Sequence, residues 1–416
     1  MLTIHGPRLL SAALLAGLPL GAWAAPQGAN PDPVARQIEA LQDQIRALQT
    51  QVDLLARQAA DAQGAAREAQ AAVDAPPADP ARAATRSTYH LAGYGFADFV
   101  APRRGSSTFV QASFNPIFHA LYDDHVLFEG ELEVTLDADG ATEVGLEYAT
   151  IGWLFSDHAT LVAGRFLSPL GNFRQNVHPA WINRMASEPV GFGHDGAAPS
   201  GELGVQLRGG WSTTPVGRLN YALFIGNGPE LEAGEDGLMA VMTEGVARDL
   251  DGSKVVGARL GWLPAATIEA GISWADGSTS VTDFDGDDTA SDPSRSYRFE
   301  GADLAWRPRA GLEFRAELVR QRAGAAPLSV APRAATWRAW YAQAAYRPGP
   351  RPWELVGRYG EFRGPELDEA LDQMALGLNY WLGSATVVRA TYEFNDPLVV
   401  ESDIEDRLLL QMAHGF

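Results

Sequence analysis

Two kinds of turn alternate along the chain from Tyr89 onward, and this alternation restricts the fold more than any other feature of the sequence. The short turns read DDH, SDH, TTP, PAA, RPR, PGP and GSA, and a longer polar loop lies before and after each of them. Seven short turns and eight long loops separate sixteen strands. Short turns at one end and long loops at the other are typical of a closed antiparallel β-barrel with an even number of strands.

The strands themselves have two unlike faces. In VLFEGELEVTLD, from Val126 to Asp137, apolar residues alternate with acidic residues and threonine at a period of two. Facing such charges into a packed core would cost several kcal/mol for each ion, whereas a water-filled interior carries no comparable cost. The pattern therefore predicts an all-β, sixteen-stranded transmembrane barrel with its apolar face towards lipid. A solvated face on a soluble antiparallel sheet is the alternative for any single strand.

The residues before the barrel fall into three predicted segments. Residues 1–24 combine a basic start, an apolar run and a small-residue cleavage site, which together predict a secretory signal peptide. In residues 25–73, apolar side chains recur every 3.5 residues on average, which predicts a coiled-coil helix; a single amphipathic helix against the barrel is the alternative. Residues 74–88 are rich in Pro and Ala and predict a linker, so the barrel is assigned residues 89–416.

Composition excludes several classes of protein. The chain has no cysteine, so disulfides and thiolate sites are absent, and its net charge of −20 argues against nucleic acid as a partner. Neither a G-x-S-x-G elbow nor an H-E-x-x-H motif occurs, and we predict no enzyme activity and no cofactor. Glu131 and Glu133 stay open as a glycosidase pair, as does a Ser and His site of a barrel lipase or protease.

The inward faces of the predicted strands carry charges of both signs. We expect the lumen to be lined by Glu129, Glu131, Glu133 and Glu147 on one wall and by Arg165, Arg208, Arg259, Arg315, Arg358, Arg389 and Arg407 elsewhere. Acids facing arginines would set up a transverse field that orients a passing solute. The alternative is that these charges only pair with one another and keep the lumen wet.

Two further motifs resemble a known family. The final strand, DRLLLQMAHGF, ends in Phe416, as in outer-membrane porins whose terminal Phe is read by the barrel-assembly machinery. The segment GRFLSPLGNFRQN at Gly164 is similar to the G-x-F-x-x-P-x-G pattern of the phosphate-selective porins, the porin O and P family. This resemblance implies a trimeric barrel in contact with outer-membrane lipid and lipopolysaccharide. The even number of strands and the alternation of turns predict that both chain ends, and therefore the N-terminal helix, lie in the periplasm. Lys254 is the only lysine, so phosphate specificity is not carried over.

The resemblance also implies that the third long loop folds into the lumen as a constriction. The residues of this loop that we expect at the narrow point are Arg174, His178, Trp181, Arg184, Glu188, His194 and Asp195. An ordinary extracellular loop is the alternative, because length alone does not require inward folding. The acidic fifth loop carries Asp283, Asp285, Asp287, Asp288 and Asp292, which could ligate Ca²⁺ through oxygen. It does not match an EF-hand, because Asp288 stands where the glycine should be, and we predict no metal site.

The function predicted from these features is a water-filled channel for passive diffusion of small hydrophilic solutes or ions. The excess of acids indicates a mild preference for cations. An anion- or phosphate-selective porin is one alternative. Another is an envelope tether, in which the coiled coil contacts the cell wall or a periplasmic partner and the barrel serves as an anchor.

Overall fold

The computed structural model describes residues 87–137, 140–193, 196–214, 216–234, 237–242, 252–281, 292–365, 370–399 and 404–416. The predicted signal peptide, the coiled-coil helix, residues 74–86 of the predicted linker, His194 and Asp195 lie outside these ranges. Asp283, Asp285, Asp287 and Asp288 of the fifth loop also lie outside them. Within the described ranges, none of the helices combines the length and the hydropathy needed to cross a membrane.

Sixteen of the described strands form one closed antiparallel barrel, which confirms the predicted strand number. The first seven are β1 (Ser87–Pro102), β2 (Thr108–Tyr122), β3 (Val126–Asp137), β4 (Thr142–Ser156), β5 (Ala159–Leu167), β6 (Gly201–Thr214) and β7 (Gly217–Gly226). The barrel continues with β10 (Val255–Ala265), β11 (Ile268–Thr279), β12 (Arg295–Arg309), β13 (Leu312–Ala323), β14 (Ala335–Tyr346), β15 (Trp353–Arg363), β16 (Leu371–Trp381), β17 (Thr386–Pro397) and β18 (Arg407–Gly415). Pairing of β1 with β18 closes the barrel.

Two short elements lie in the loops. Helix α1 (Phe173–Asn176) belongs to the loop between β5 and β6, and strands β8 (Glu230–Ala233) and β9 (Leu238–Met242) form a separate two-stranded sheet between β7 and β10. The short turns lie at one end of the barrel, here named the short-turn end, and the opposite end is the loop end. At the short-turn end, Asp123 and Asp124 have φ of 51° and 56°, the left-handed pair that a tight hairpin turn requires.

The two faces of each strand separate as the period-two pattern predicts. In β3, Val126, Phe128 and Leu136 are exposed on the outer face, whereas Glu131 and Thr135 are buried inside the barrel. The outer face also carries exposed tryptophans, including Trp262 and Trp306. An apolar band with aromatic side chains on the outside and charges inside is the arrangement of a barrel that spans a membrane.

The described residues of the loop between β5 and β6, 168–193 and 196–200 and here named loop 3, lie inside the barrel. Leu170, Phe173, Met185 and Phe192 of this loop are almost fully buried. Backbone groups along the loop bond to side chains of the wall, as in the hydrogen bond from the Gly171 N–H to the Ser273 hydroxyl at 3.0 Å. Loop 3 therefore occupies part of the space that the strands enclose.

An apolar cluster inside the barrel, here named the lumen core, is the main departure from the sequence expectation of a wet interior. It joins loop 3, the loops that follow β7, β11 and β13, and the inward faces of β5, β7 and β10 to β14. Its residues are Phe166, Leu170, Phe173, Val177, Phe192, Ala197, Ala198, Phe224, Leu231, Leu238, Val241, Val255, Ala275, Val281, Tyr297, Phe299, Val319, Ala323, Ala331, Ala335, Trp337, Ala339 and Tyr341. The rings of Phe192 and Tyr341 meet edge to face at 5.0 Å, a favourable geometry for aromatic pairs. Burial of this apolar surface stabilises the inward position of loop 3.

Candidate functional site

Two wall arginines hold the middle of loop 3. Arg358 on β15 donates hydrogen bonds of 2.9 Å to the carbonyl oxygens of Ser187 and Glu188. Arg389 on β17 donates to the carbonyl oxygens of Ala180 and Met185 at 2.7 and 2.9 Å. Both side chains are buried. Arg358 uses both terminal nitrogens of its planar guanidinium fork, whereas one terminal nitrogen of Arg389 donates both bonds. These two predicted pore-lining arginines thus lie on the inner wall, but they are covered by the loop that they hold.

Wall glutamates hold the loop at two other points. The carboxylate of Glu317 accepts hydrogen bonds of 2.9 Å from the backbone N–H groups of Asn172 and Phe173. Further along the loop, Arg184 pairs with Glu313 at 3.3 Å and with Glu354. Loop 3 is therefore bonded to β13, β15 and β17, on one side of the barrel.

On the other side, loop 3 faces β1 to β4 across a cavity of about 320 Å³, here named the narrow zone. Its walls consist of Tyr94, Phe96, Asp98, Gln111, Asn115, Glu133, Glu147 and Gln411 from the strands and of Arg174, His178, Ala180, Asn183, Met185, Ala186, Ser187 and Glu188 from loop 3. Charged and polar groups from both sides thus meet in one cavity at the level of loop 3.

The narrow zone contains more acidic than basic side chains. Four carboxylate side chains line it, and Arg174 is its one arginine among the described residues. The guanidinium of Arg174 lies 3.4 Å from the Glu188 carboxylate, and His178 Nε2 lies 3.9 Å from Glu147. The acids of the strands face the bases of loop 3, which gives the field a direction across the cavity.

Other predicted lumen residues form pairs away from the narrow zone. Arg208 donates to Glu129 at 3.2 Å, and both line a second cavity of about 160 Å³. Arg315 donates to Glu313 at 2.7 Å, and Arg407 donates to Glu393 at 2.6 Å. Arg259 donates to the buried carboxylate of Asp303 at 2.8 and 3.0 Å. Glu131 is buried on β3, two residues before the predicted pore-lining residue Glu133, which lines the narrow zone.

The position of Arg165 differs from the prediction. The alternation of β5 buries Val162 and Phe166 inside the barrel, which places Arg165 on the outer face with Leu161. Its neighbours in register are Ala149 on β4 and Leu203 on β6. The assignment of Arg165 to the lumen is therefore wrong. The physical reason is that Phe166 belongs to the lumen core, whereas the sequence argument reserved the inner face for charges.

Three other predicted residues lie at the edges of the site. Trp181 packs against Gly415 at the end of β18, so close that a Cβ on Gly415 would lie 2.8 Å from the indole ring. Phe416 is outside the barrel with half of its surface exposed. Asp292, at the described edge of the fifth loop, binds Arg295 at 3.5 Å, and no cluster of three metal-ligating side chains occurs within the described ranges.

Sequence reasoning missed Asp98, Asn115 and Gln411 as narrow-zone residues. Asp98 shares the inward face of β1 with Tyr94 and Phe96, so the strand looks apolar on both faces and gives little sign of a lumen position. The uncharged Asn115 and Gln411 carry no charge pattern at all. A complete register of β1 against β18 would have placed Asp98 beside Gln411, because the two are direct partners.

The fold is shared with solved structures. OmpT, an outer membrane protein of Vibrio cholerae solved in a trimer form, aligns with a TM-score of 0.53 at 11% identity over 79% of this chain and 99% of that one. OmpF of Salmonella typhi, in complex with daunomycin, gives 0.52 at 14% identity over 79% and 97%. An anion-selective porin from Comamonas acidovorans gives 0.52 at 12% identity over 80% and 100%.

These identities are low, so the likeness concerns the fold. No protein-family model matches the chain, and no curated protein matches its sequence. The phosphate-selective family that the Gly164 motif resembles is thus not confirmed. The structural neighbours are bacterial outer-membrane porins, and the chain has their sixteen-stranded barrel fold.

Proposed function

We propose that the chain is an outer-membrane channel for passive diffusion of small hydrophilic solutes or ions, with a preference for cations at low salt. The observation that carries this proposal is the narrow zone, a polar cavity at the level of loop 3 inside a closed barrel. The lumen core fills the space beside β7 and β10 to β14. The path for solutes therefore runs between loop 3 and strands β1 to β4.

The preference for cations rests on the charges along this path. Asp98, Glu133, Glu147 and Glu188 outnumber Arg174 and the titratable His178 in the narrow zone. Low-dielectric walls focus the field of such charges and raise the local concentration of counter-ions. The preference should weaken with salt, because the Debye length falls from roughly 30 Å at 0.01 M to roughly 3 Å at 1 M.

Conductance across a planar bilayer tests this function. Under a KCl gradient at low ionic strength, the reversal potential of the wild type should indicate cation selectivity. The double variant Glu133→Gln and Glu147→Gln should shift it towards anions, and Arg174→Gln should shift it further towards cations. The matched control is Glu300→Gln with Glu361→Gln, which removes two acids from the outer face. A folded barrel that does not conduct would refute the channel.

Anion selectivity is the second candidate, because one structural neighbour is an anion-selective porin and the inner wall carries many arginines. Most of these arginines are already bonded to loop 3 or to a carboxylate, as Arg358, Arg389 and Arg259 are. A charge that is paired in this way attracts a passing anion less. Anion selectivity that persists in Arg174→Gln would overturn the cation assignment and favour this candidate.

The assembly and location of the chain belong to the same proposal. We expect a homotrimer in the outer membrane, with the signal peptide removed and residues 25–73 forming a periplasmic coiled coil. The trimer form of one structural neighbour supports the oligomer. Native mass spectrometry in detergent would measure the subunit number and the mature mass. Deletion of residues 31–78 that abolishes cell-wall attachment without changing conductance would instead support the tether as an additional role.

A further inference from the structure

The outer face of β12 to β16 has an apolar depression, here named the outer groove. Its upper part, nearer the loop end, has a volume of about 620 Å³, and its lower part, nearer the short-turn end, has a volume of about 440 Å³. The two parts share Leu304, Ala316 and Ala342. Small side chains form the floor, and exposed large ones such as Leu318 and Trp340 form the sides. In the lower part, the floor continues through Ala344 and Gly357, which are direct partners in register.

Two arginines lie at the loop end of the outer groove. Arg320 on β13 and Arg338 on β14 both line its upper part, both are exposed, and they are direct cross-strand partners. Like charges directly opposite each other on a sheet repel, so the pair is unfavourable unless an anion lies between them.

The ion pairs formed by neighbouring charged residues do not include Arg320 or Arg338. Arg298 binds Asp276 at 3.0 Å, and Arg363 binds Asp372 and lies 3.8 Å from Glu361. Arg320 and Arg338 form no ion pair and no side-chain hydrogen bond within the part of the chain that the structure describes. Glu300 lies directly opposite Arg320 in register and offsets part of its charge, although the two form no ion pair within the described residues. Glu361 and Arg363 also line the upper part of the groove.

We propose that the outer groove binds one lipid with a phosphorylated head group. The phosphate lies between the guanidinium groups of Arg320 and Arg338, whose planar forks match phosphate oxygens. An acyl chain lies along Ala316 and Ala342, where the absence of large side chains leaves room for it. This assignment rests on the proposed function in one respect only, because it requires the barrel to be in a membrane.

Native mass spectrometry of the purified full chain in detergent tests the site, with hexa-acylated, bis-phosphorylated lipid A as the probe. The wild type should retain one lipid A, and the double variant Arg320→Gln with Arg338→Gln should bind it at least about tenfold more weakly, since bonds to charged groups are lost. Ala316→Trp with Ala342→Trp, which fills the groove, should also weaken binding. The matched control, Arg309→Gln with Arg347→Gln, removes two arginines at the short-turn end and should bind as the wild type does.

Further experiments distinguish a lipid phosphate from free inorganic phosphate as the ligand. Dephosphorylated lipid A should bind the wild type as weakly as lipid A binds the arginine variant, and inorganic phosphate should not displace lipid A at equal concentration. Displacement by phosphate alone would overturn the lipid site in favour of a simple anion site. Equal binding by the wild type and the arginine variant would also refute it. Dissociation of an oligomer by the tryptophan variant, without loss of lipid, would identify the groove as a subunit contact instead.

The same variants keep this proposal separate from the channel. The outer groove lies outside the lumen, so Arg320→Gln with Arg338→Gln should conduct as the wild type does. Loss of conductance in the wild type with intact lipid binding would refute only the channel. Normal conductance in a wild type that binds no lipid A would refute only the lipid site.

Discussion

The carboxylate of Glu317 on the barrel wall accepts a hydrogen bond of 2.9 Å from the backbone N–H of Phe173 in loop 3. Its second oxygen accepts from the N–H of Asn172 at the same distance, so one side chain satisfies two donors at the start of α1. Bonds to charged groups contribute roughly 1.5–3 kcal/mol each. Glu317 is therefore a main support of the inward position of loop 3.

We expect Glu317→Ala to loosen the first part of loop 3. Its two backbone donors would lose their partner, and the loop would sample positions farther from β13. Single-channel recordings should show a larger mean conductance with more noise, whereas Glu300→Ala on the outer face should leave the traces unchanged. If Glu317→Ala has the same mean conductance and the same current noise as the wild type, the lumen core alone holds the loop.

Arg389 should control the access of reagents to the middle of loop 3. Because the chain has no cysteine, Ala186→Cys provides a single labelling site on the loop. Maleimide labelling at this site should become faster when Arg389→Ala is added, since the carbonyl groups of Ala180 and Met185 lose their donor. Arg389→Lys should have an intermediate rate, because a single guanidinium nitrogen donates both bonds and an ammonium group on a shorter side chain replaces it only in part. The control is Arg309→Ala, for which the labelling rate should stay constant.

The buried pair of Arg259 and Asp303 should matter for stability. Arg259→Met leaves the Asp303 carboxylate buried without its partner, and breaking a buried pair in this way costs roughly 3–5 kcal/mol. Urea unfolding followed by tryptophan fluorescence should show this loss, and the added change Asp303→Leu should restore most of it. Arg298→Met tests the exposed pair with Asp276, where a loss of only about 0–1 kcal/mol is expected. Equal losses for the two pairs would contradict this explanation.

The sequence predicts the barrel well because turn length and period-two alternation are local properties. DDH and the other short turns locate the strand ends, and VLFEGELEVTLD shows which face of β3 is apolar. Closure then follows from the need to pair every edge strand.

The interior is less predictable because loop 3 and the lumen core depend on contacts between distant residues. Phe166 and Tyr341 are far apart in the sequence and join the lumen core only when loop 3 folds inward. The assumption of a wet interior therefore placed Arg165 in the lumen incorrectly. It also gave no reason to expect that Arg358 would bind the Ser187 carbonyl rather than face the solute path.

The last prediction concerns Phe416, which closes the barrel through both its backbone and its ring. Phe416 and Gly93 exchange two backbone hydrogen bonds of 2.9 and 3.1 Å, and the Phe416 ring stacks on Phe114 with 5.9 Å between centroids. Gly93 leaves the space for this ring, because a Cβ there would lie 2.7 Å from it. Deletion of Phe416 removes all of these contacts, whereas Phe416→Ala keeps the backbone bonds.

We expect deletion of Phe416 to reduce the amount of protein in outer-membrane fractions severely, with the remainder degraded or in the periplasm. Phe416→Ala should fall between the deletion and the wild type if the ring contributes to assembly beyond the backbone bonds. The variant protein that does insert should conduct normally, because Phe416 lies outside the lumen. As a control, Met412→Ala removes another exposed apolar side chain of β18 without touching the terminus, and its level should stay near that of the wild type. Wild-type levels of the deletion variant would show that the terminal residue is not needed for insertion, whatever its contacts in the folded barrel.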